Sequence, residues 1–127
     1  MAGRRQVINL PGLAHGAPIP MGAKVGNMVY SSGINGADPA TGKRPEDPDQ
    51  EARQMFANVT KFMEIAGGTT DDIVQVTLLM GNPDLRKHID KPWLEMFPDE
   101  NNRPARHALT TEVRAGTFQM EIVAVLP

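Results

Sequence analysis

The sequence predicts an α+β domain in which two helices pack on one face of a mixed β-sheet. Three observations predict it. Residues 47–66 carry one apolar stripe at helical spacing. Residues 73–80 form an unbroken apolar run of strand length. Residues 118–126 alternate apolar and polar with a period of two. A chain of 127 residues fits a single domain, residues 1–127, with enough material for a real core.

Taken in order, residues 6–10 read as a first edge strand closed by Pro11-Gly12. Residues 11–23 are loop, because Pro18 and Pro20 remove ladder donors and Gly12, Gly16 and Gly22 invite turns. His15, in this loop, reads as a solvated side chain rather than a base. Residues 23–33 read as two short strands around Gly26-Asn27, or as one bulged strand, ending in Ser31-Ser32-Gly33. A serine-glycine strand end can present a hydroxyl and amides to a ligand, or simply terminate the strand.

The clearest helix start follows a polar loop over residues 35–48. Asp47 can cap, Pro48 suits the first helical position, and Gln50 falls three residues after Asp47. Ala52, Met55, Phe56, Val59, Phe62, Met63 and Ala66 make the apolar stripe, and Gly67-Gly68 ends the helix. Glu51, Arg53, Asn58, Lys61 and Glu64 are expected on its wet face. Residues 73–80 should be an interior strand. Residues 84–97 are helical in spacing, but Pro92 should kink or split them, with Asp90 capping the second piece. Residues 102–125 read as two strands joined by a short turn at Ala115-Gly116-Thr117. Thr110, Thr111 and Val113 belong to the first strand, and Phe118, Met120, Ile122 and Ala124 to one face of the second.

Composition excludes several function classes. The formal charge of −2, with no basic stripe and few aromatics, gives no general pull toward nucleic acid and few platforms for base stacking. The absence of cysteine excludes disulfides, thiol nucleophiles and cysteine-ligated zinc within this chain. No Walker loop, dinucleotide fingerprint or nucleophile elbow is present. The eight methionines are scattered through apolar positions as core filler rather than as a metal box. No segment approaches the roughly 20 apolar residues of a membrane span, and no signal-peptide core opens the chain; a cytoplasmic protein is expected.

Two charged residues stand out. Arg106 opens the first of the last two strands, and its planar fork of donors suits a carboxylate. Glu121 lies mid-strand between Met120 and Ile122, where a carboxylate is costly unless it is paired, protonated or facing a cleft. Together they suggest a small acidic ligand held by Arg106, with Glu121 near enough to handle a proton or a water. Equally, Glu121 can face solvent on an exposed sheet face, with Arg106 its ion-pair partner or an ordinary surface residue.

The chain resembles the RidA/YjgF family of reactive-intermediate deaminases over nearly its whole length. The resemblance rests on VGNMVYSSG at 25–33, DPATG at 38–42, QEARQMFANV at 50–59, DDIVQVTLLM at 71–80, PAR at 104–106 and QMEIVAV at 119–125. It implies a chorismate-mutase-like fold assembled as a homotrimeric barrel, with ligand clefts at the subunit interfaces. It also implies hydrolysis of small enamines or imines bearing a carboxylate to 2-keto acids and ammonia, without metal or cofactor. Arg106 would bind the substrate carboxylate, Glu121 would activate the attacking water, and Ser32 and Gly33 would line the cleft.

The pocket departs from the family pattern at several positions. Ile19 stands where deaminating members carry a tyrosine, and Ala108 where they often carry a cysteine. Asp90 falls near a cleft asparagine, and His107 directly follows the arginine. Asp90 would disfavour a second anion, whereas protonated His107 would favour one. Three readings follow: an enamine/imine deaminase, a non-catalytic trimer that binds a 2-keto acid through Arg106, and an RNA-cleaving protein, which the charge balance opposes.

Overall fold

The structure, a computed structural model, describes residues 3–113 and 116–127. Six strands form one sheet: β1 (Gln6–Ile8), β2 (Gly22–Val25), β3 (Met28–Ser31), β4 (Ile73–Met80), β5 (Ala105–Thr110) and β6 (Phe118–Val125). Their spatial order is β1-β2-β3-β6-β4-β5, antiparallel throughout except for the parallel β4–β5 pair. Helix α1 (Pro48–Ala66) follows β3, and α2 (Arg86–Met96) makes the crossover from β4 to β5.

Local chemistry sets the element ends as expected. Asp47 caps α1, its side chain accepting from the Asp49 amide; Pro48 takes the first position. Gly67 ends the helix with φ 99°, and the amides of Gly67 and Gly68 both return to the Met63 carbonyl. Gly26, with φ 59°, turns β2 into β3.

One core fills the space between sheet and helices. Alternate residues of β6 (Phe118, Met120, Ile122, Ala124) and β4 (Val76, Leu78, Met80) meet Met55, Val59, Phe62 and Met63 of α1 and Ile89 and Trp93 of α2. Met21, Met55, Met63, Met80 and Met120 are all buried, as core filler should be. Burying a side chain of this size contributes roughly 1.5–3 kcal/mol.

Several expectations need correction. Residues 102–125 do not form a hairpin: β4 lies between β5 and β6 and pairs with both. Thr111 and Val113 fall outside β5, and Ala115 of the expected turn lies outside the described residues. Pro92 does not split α2, which runs unbroken through it, and Asp90 caps nothing; its carboxylate reaches Arg106 instead. Glu51 and Asn58 do not sit on the wet face of α1; they are 3% and 1% exposed.

Both buried polar groups hold loops. Asn58 donates to the carbonyls of Asn35 and Ala37. Glu51 Oε2 accepts from the Thr117 amide at 2.7 Å and the Phe118 amide at 3.4 Å, fastening the start of β6 onto α1. A buried donor that loses its charged partner forfeits solvation as well as the bond. Glu51→Ala is therefore expected to destabilise the chain by about 2–3 kcal/mol. Urea unfolding would check this, and a loss below about 0.5 kcal/mol would show that the bonds are replaceable.

Helices α1 and α2 are also tied by two surface ion pairs, His88–Asp49 and Arg53–Glu95. The hydrogen bond with His88 holds the Asp49 carboxyl below its ordinary value, and that from Arg53 does the same for Glu95. A carboxyl depressed in the folded state favours folding while ionised. That contribution is complete above the ordinary carboxylate range and is lost as pH falls through it toward the lowered folded values. Thermal unfolding between pH 7 and 3 should show an acid limb that Asp49→Asn with Glu95→Gln makes shallower; an unchanged limb would assign acid sensitivity to other groups.

Candidate active site

The register of the sheet decides which side chains can meet. Glu121 and His107 both pair with Thr77, so the three form a row on one face. That face is the one left uncovered by the helices. Along the next row it carries Val7, Ala23, Tyr30, Val123, Gln75 and Ala105, one from each strand. Val7, Tyr30 and Leu109 are large apolar residues exposed on it. Arg106 pairs with Val76, and so faces the opposite way, toward the helices. Arg106 and Glu121 of one chain therefore do not share a site, contrary to what their closeness in sequence suggested. The expected neighbour of Arg106, His107, shares a face with Glu121 instead.

Around Glu121 the uncovered face holds a hollow of about 210 Å³, lined also by Tyr30, Ser31, Gln75 and Thr77. Glu121 is exposed there, while Met120 and Ile122 point into the core, so burial between those neighbours does not enclose it. Ser31 Oγ accepts from the Ile122 amide at 2.8 Å and is fixed by that bond. Ser32 donates its hydroxyl to the Pro20 carbonyl at 2.9 Å, and its amide bonds Met21. These bonds stitch the loop carrying exposed Ile19 to the end of β3. Gly33 runs so close to Gln119 that a Cβ there would sit 2.8 Å from Oε1. Ile19, Ser32, Gly33 and Glu121 thus belong to the β3–β6 part of the sheet. The loop histidine His15 is not freely solvated: its Nε2 is buried and has no partner among the described residues.

Arg106 sits in a different setting, on edge strand β5. Its Nη2 donates to Asp90 Oδ1 at 2.9 Å, and its Cζ lies 4.9 Å above the Trp93 ring. Trp93 is itself held edge-on by Phe97, with ring centroids 4.8 Å apart. Nη1 is buried and lacks a partner among the described residues. Ala108, two residues on, shares this face and packs against the core.

Sequence reasoning missed Trp93 as the platform under Arg106, although it lies three residues after Asp90 on the same side of a helix. It also missed Gln119, which period two places beside Glu121. Thr77 left no readable signal, because it joins this row only through the strand order. A larger open groove of about 780 Å³ surrounds Arg44, Glu51 and Thr117 and contains none of these residues. No group of three or more potential metal-ligating side chains occurs among the described residues, and no described helix is long and apolar enough to cross a membrane.

The fold is an α+β domain with a helix-covered face and an open face, an arginine on its edge strand and a carboxylate on the open face. The chain belongs to the RidA/YjgF family, whose model, described as "Endoribonuclease L-PSP", matches residues 17–126. A RutC family protein of Aquifex aeolicus is 31% identical over 118 residues, covering 86% of this chain and 93% of that one. The 2-iminobutanoate/2-iminopropanoate deaminase of Escherichia coli K12 is 29% identical over 109 residues, covering 85% of each. RidA from the Antarctic bacterium Psychrobacter superposes with a TM-score of 0.83 at 25% identity, covering 98% of this chain and all of that one.

The Trp93 platform predicts a measurable coupling. A guanidinium over an indole gains about 0.5–2 kcal/mol. A double-mutant cycle of Trp93→Leu and Arg106→Met, read by urea unfolding, should return a coupling of that order; additive effects would mean the stacking carries nothing.

Proposed function

We propose that this protein hydrolyses small reactive imines and enamines to a carbonyl product and ammonia, at sites completed by a second copy of the chain. The observation that carries the second half is the register: Arg106 and Glu121 lie on opposite faces of one sheet. A site that uses both needs Arg106 at the β5 edge of one copy to meet Glu121 on the open face of another. The exposed apolar residues of that face favour such a cover, and the homotrimer implied by the resemblance supplies it. The deaminase named among the relatives supports the reaction class.

The chemistry asks little of the protein. A protonated imine carbon is already electrophilic. A water held at Glu121 attacks it, forming the C–O bond, while the carboxylate takes a proton from the water. The carbinolamine nitrogen is then protonated, the C–N bond breaks, ammonia leaves, and the hydroxyl loses its proton as the carbonyl forms. An enamine enters the same path after protonation at carbon. Glu121 serves as acid and base in turn, Arg106 receives an oxygen of the substrate's acid or acyl group, and the neighbouring apolar wall limits its size. Thr77 and Gln119 share the face of Glu121 and would flank such a water.

Ammonia release from enzymatically generated imines should be accelerated by wild type. Arg106→Ala should raise KM, and Glu121→Gln should lower kcat by roughly 10²–10⁴. At substrate concentrations well below the raised KM each variant alone should be nearly inactive. When the two are unfolded and refolded together, random assortment gives intact sites at about one interface in four, and activity should return in that proportion. No recovery on mixing, with both variants assembled, would place the site within one chain. Retained binding of keto acids with no turnover would select the binding-only reading.

A further inference from the structure

The arginine expected to anchor a substrate carboxylate already holds one. Asp90 Oδ1 accepts from Nη2 of Arg106 at 2.9 Å, and the guanidinium plane is fixed against Trp93, which is only 8% exposed. The carboxylate is the outer member of this pair: the Asp90 side chain is 48% exposed and that of Arg106 is 23%.

We infer that Asp90 sets the substrate class: it selects imines and enamines anchored through a neutral acyl oxygen, such as an amide, ester or ureide carbonyl, over those anchored through a carboxylate. The inference rests on the deaminase reading above and names the end of the substrate that Arg106 receives.

Three features carry it. First, a free guanidinium recognises a carboxylate by two parallel N–H···O bonds from its fork. Asp90 already takes one N–H of Nη2, so a substrate carboxylate would have to share the fork with it. A single carbonyl oxygen needs only one of the remaining N–H groups. Second, the ion pair is neutral as a whole. A substrate carboxylate gains no net attraction from it and lies beside a like charge, whereas a carbonyl dipole has no such repulsion. Third, His107, the residue next to Arg106, adds no positive charge beside this pair. His107 faces the other side of the sheet.

Asp90→Asn isolates the charge. The amide oxygen can still accept from Nη2, so the arginine keeps its place while its charge is released. Asp90→Ala serves as a second variant in case the amide turns its nitrogen inward. Two probes differ only at the anchoring end: 2-iminopropanoate, released from alanine by an amino-acid oxidase, and its carboxamide, released by base elimination of HCl from N-chloroalaninamide. Ammonia release gives kcat and KM for each. Wild type is expected to favour the carboxamide by at least tenfold in kcat/KM. Both variants should shift that ratio at least tenfold toward the carboxylate, mainly through KM, a substrate-dependent change that simple loosening of the fold does not produce. A wild-type preference for the carboxylate, or a ratio unmoved in both variants, overturns the inference and leaves the deaminase reading standing. Calorimetric titration with 2-oxobutanoate and 2-oxobutanamide separates the remaining cases. Preferential binding of the amide without turnover of either imine removes the deaminase reading but keeps Asp90 as the selector; equal binding without turnover removes both.

Discussion

Strand β6 is hydrogen-bonded on both sides, to β3 and to β4, and its register commits every side chain in the middle of the sheet to one face or the other. The rest of the molecule depends on this constraint. Phe118, Met120, Ile122 and Ala124 can be buried under the helices only if Gln119, Glu121, Val123 and Val125 face away. A slip of one residue would bring a carboxylate into the core and place Met120 and Ile122 in water. The two amides that Glu51 accepts at the start of β6 fasten the register at one end. The exchange between Ile34 and Met120 holds it near the middle. The location of Glu121 is thus a by-product of how the core is packed.

The same constraint separates the two charged residues that chemistry wants together. Arg106 belongs to the parallel β4–α2–β5 unit and looks toward its own crossover helix, where Asp90 and Trp93 receive it. Glu121 belongs to the antiparallel part and looks outward. Each half of the candidate site is built with local economy: a helix and the strand that follows it for the arginine, and three neighbouring strands for the carboxylate. Neither half owes its geometry to the other.

Most elements were legible because their signals are local. The Asp47-Pro48 start, the Gly67-Gly68 stop and the period-two run of β6 each act within a few residues, and each formed where those residues placed it. What could not be read was strand order. A break of a few residues between two strands suggests a hairpin, but β4 takes the place between β5 and β6. With that order hidden, the pairing of Arg106 with Val76 and of Glu121 with Thr77 was hidden too, and so was their separation to opposite faces. Glu51 and Asn58 were misplaced for a related reason. Helical spacing marks polar residues as wet, and only the loops that arrive later in space show that these two have buried donors and acceptors to satisfy.

Strand β5 closes the sheet on one side, and its outer backbone groups face no further strand among the described residues. Alternate residues of this six-residue strand turn their N–H and C=O outward, a template onto which a stray strand can be added. The opposite border, β1, is only three residues long and is followed by a proline, so it offers little to extend. On β5 the protection is charge and polarity: Arg106 and His107 stand side by side, pointing to opposite faces, so an added strand meets a polar group on either side. Arg106 and His107 thus guard this border against edge-to-edge pairing, and a substitution at either position would have to keep something polar there.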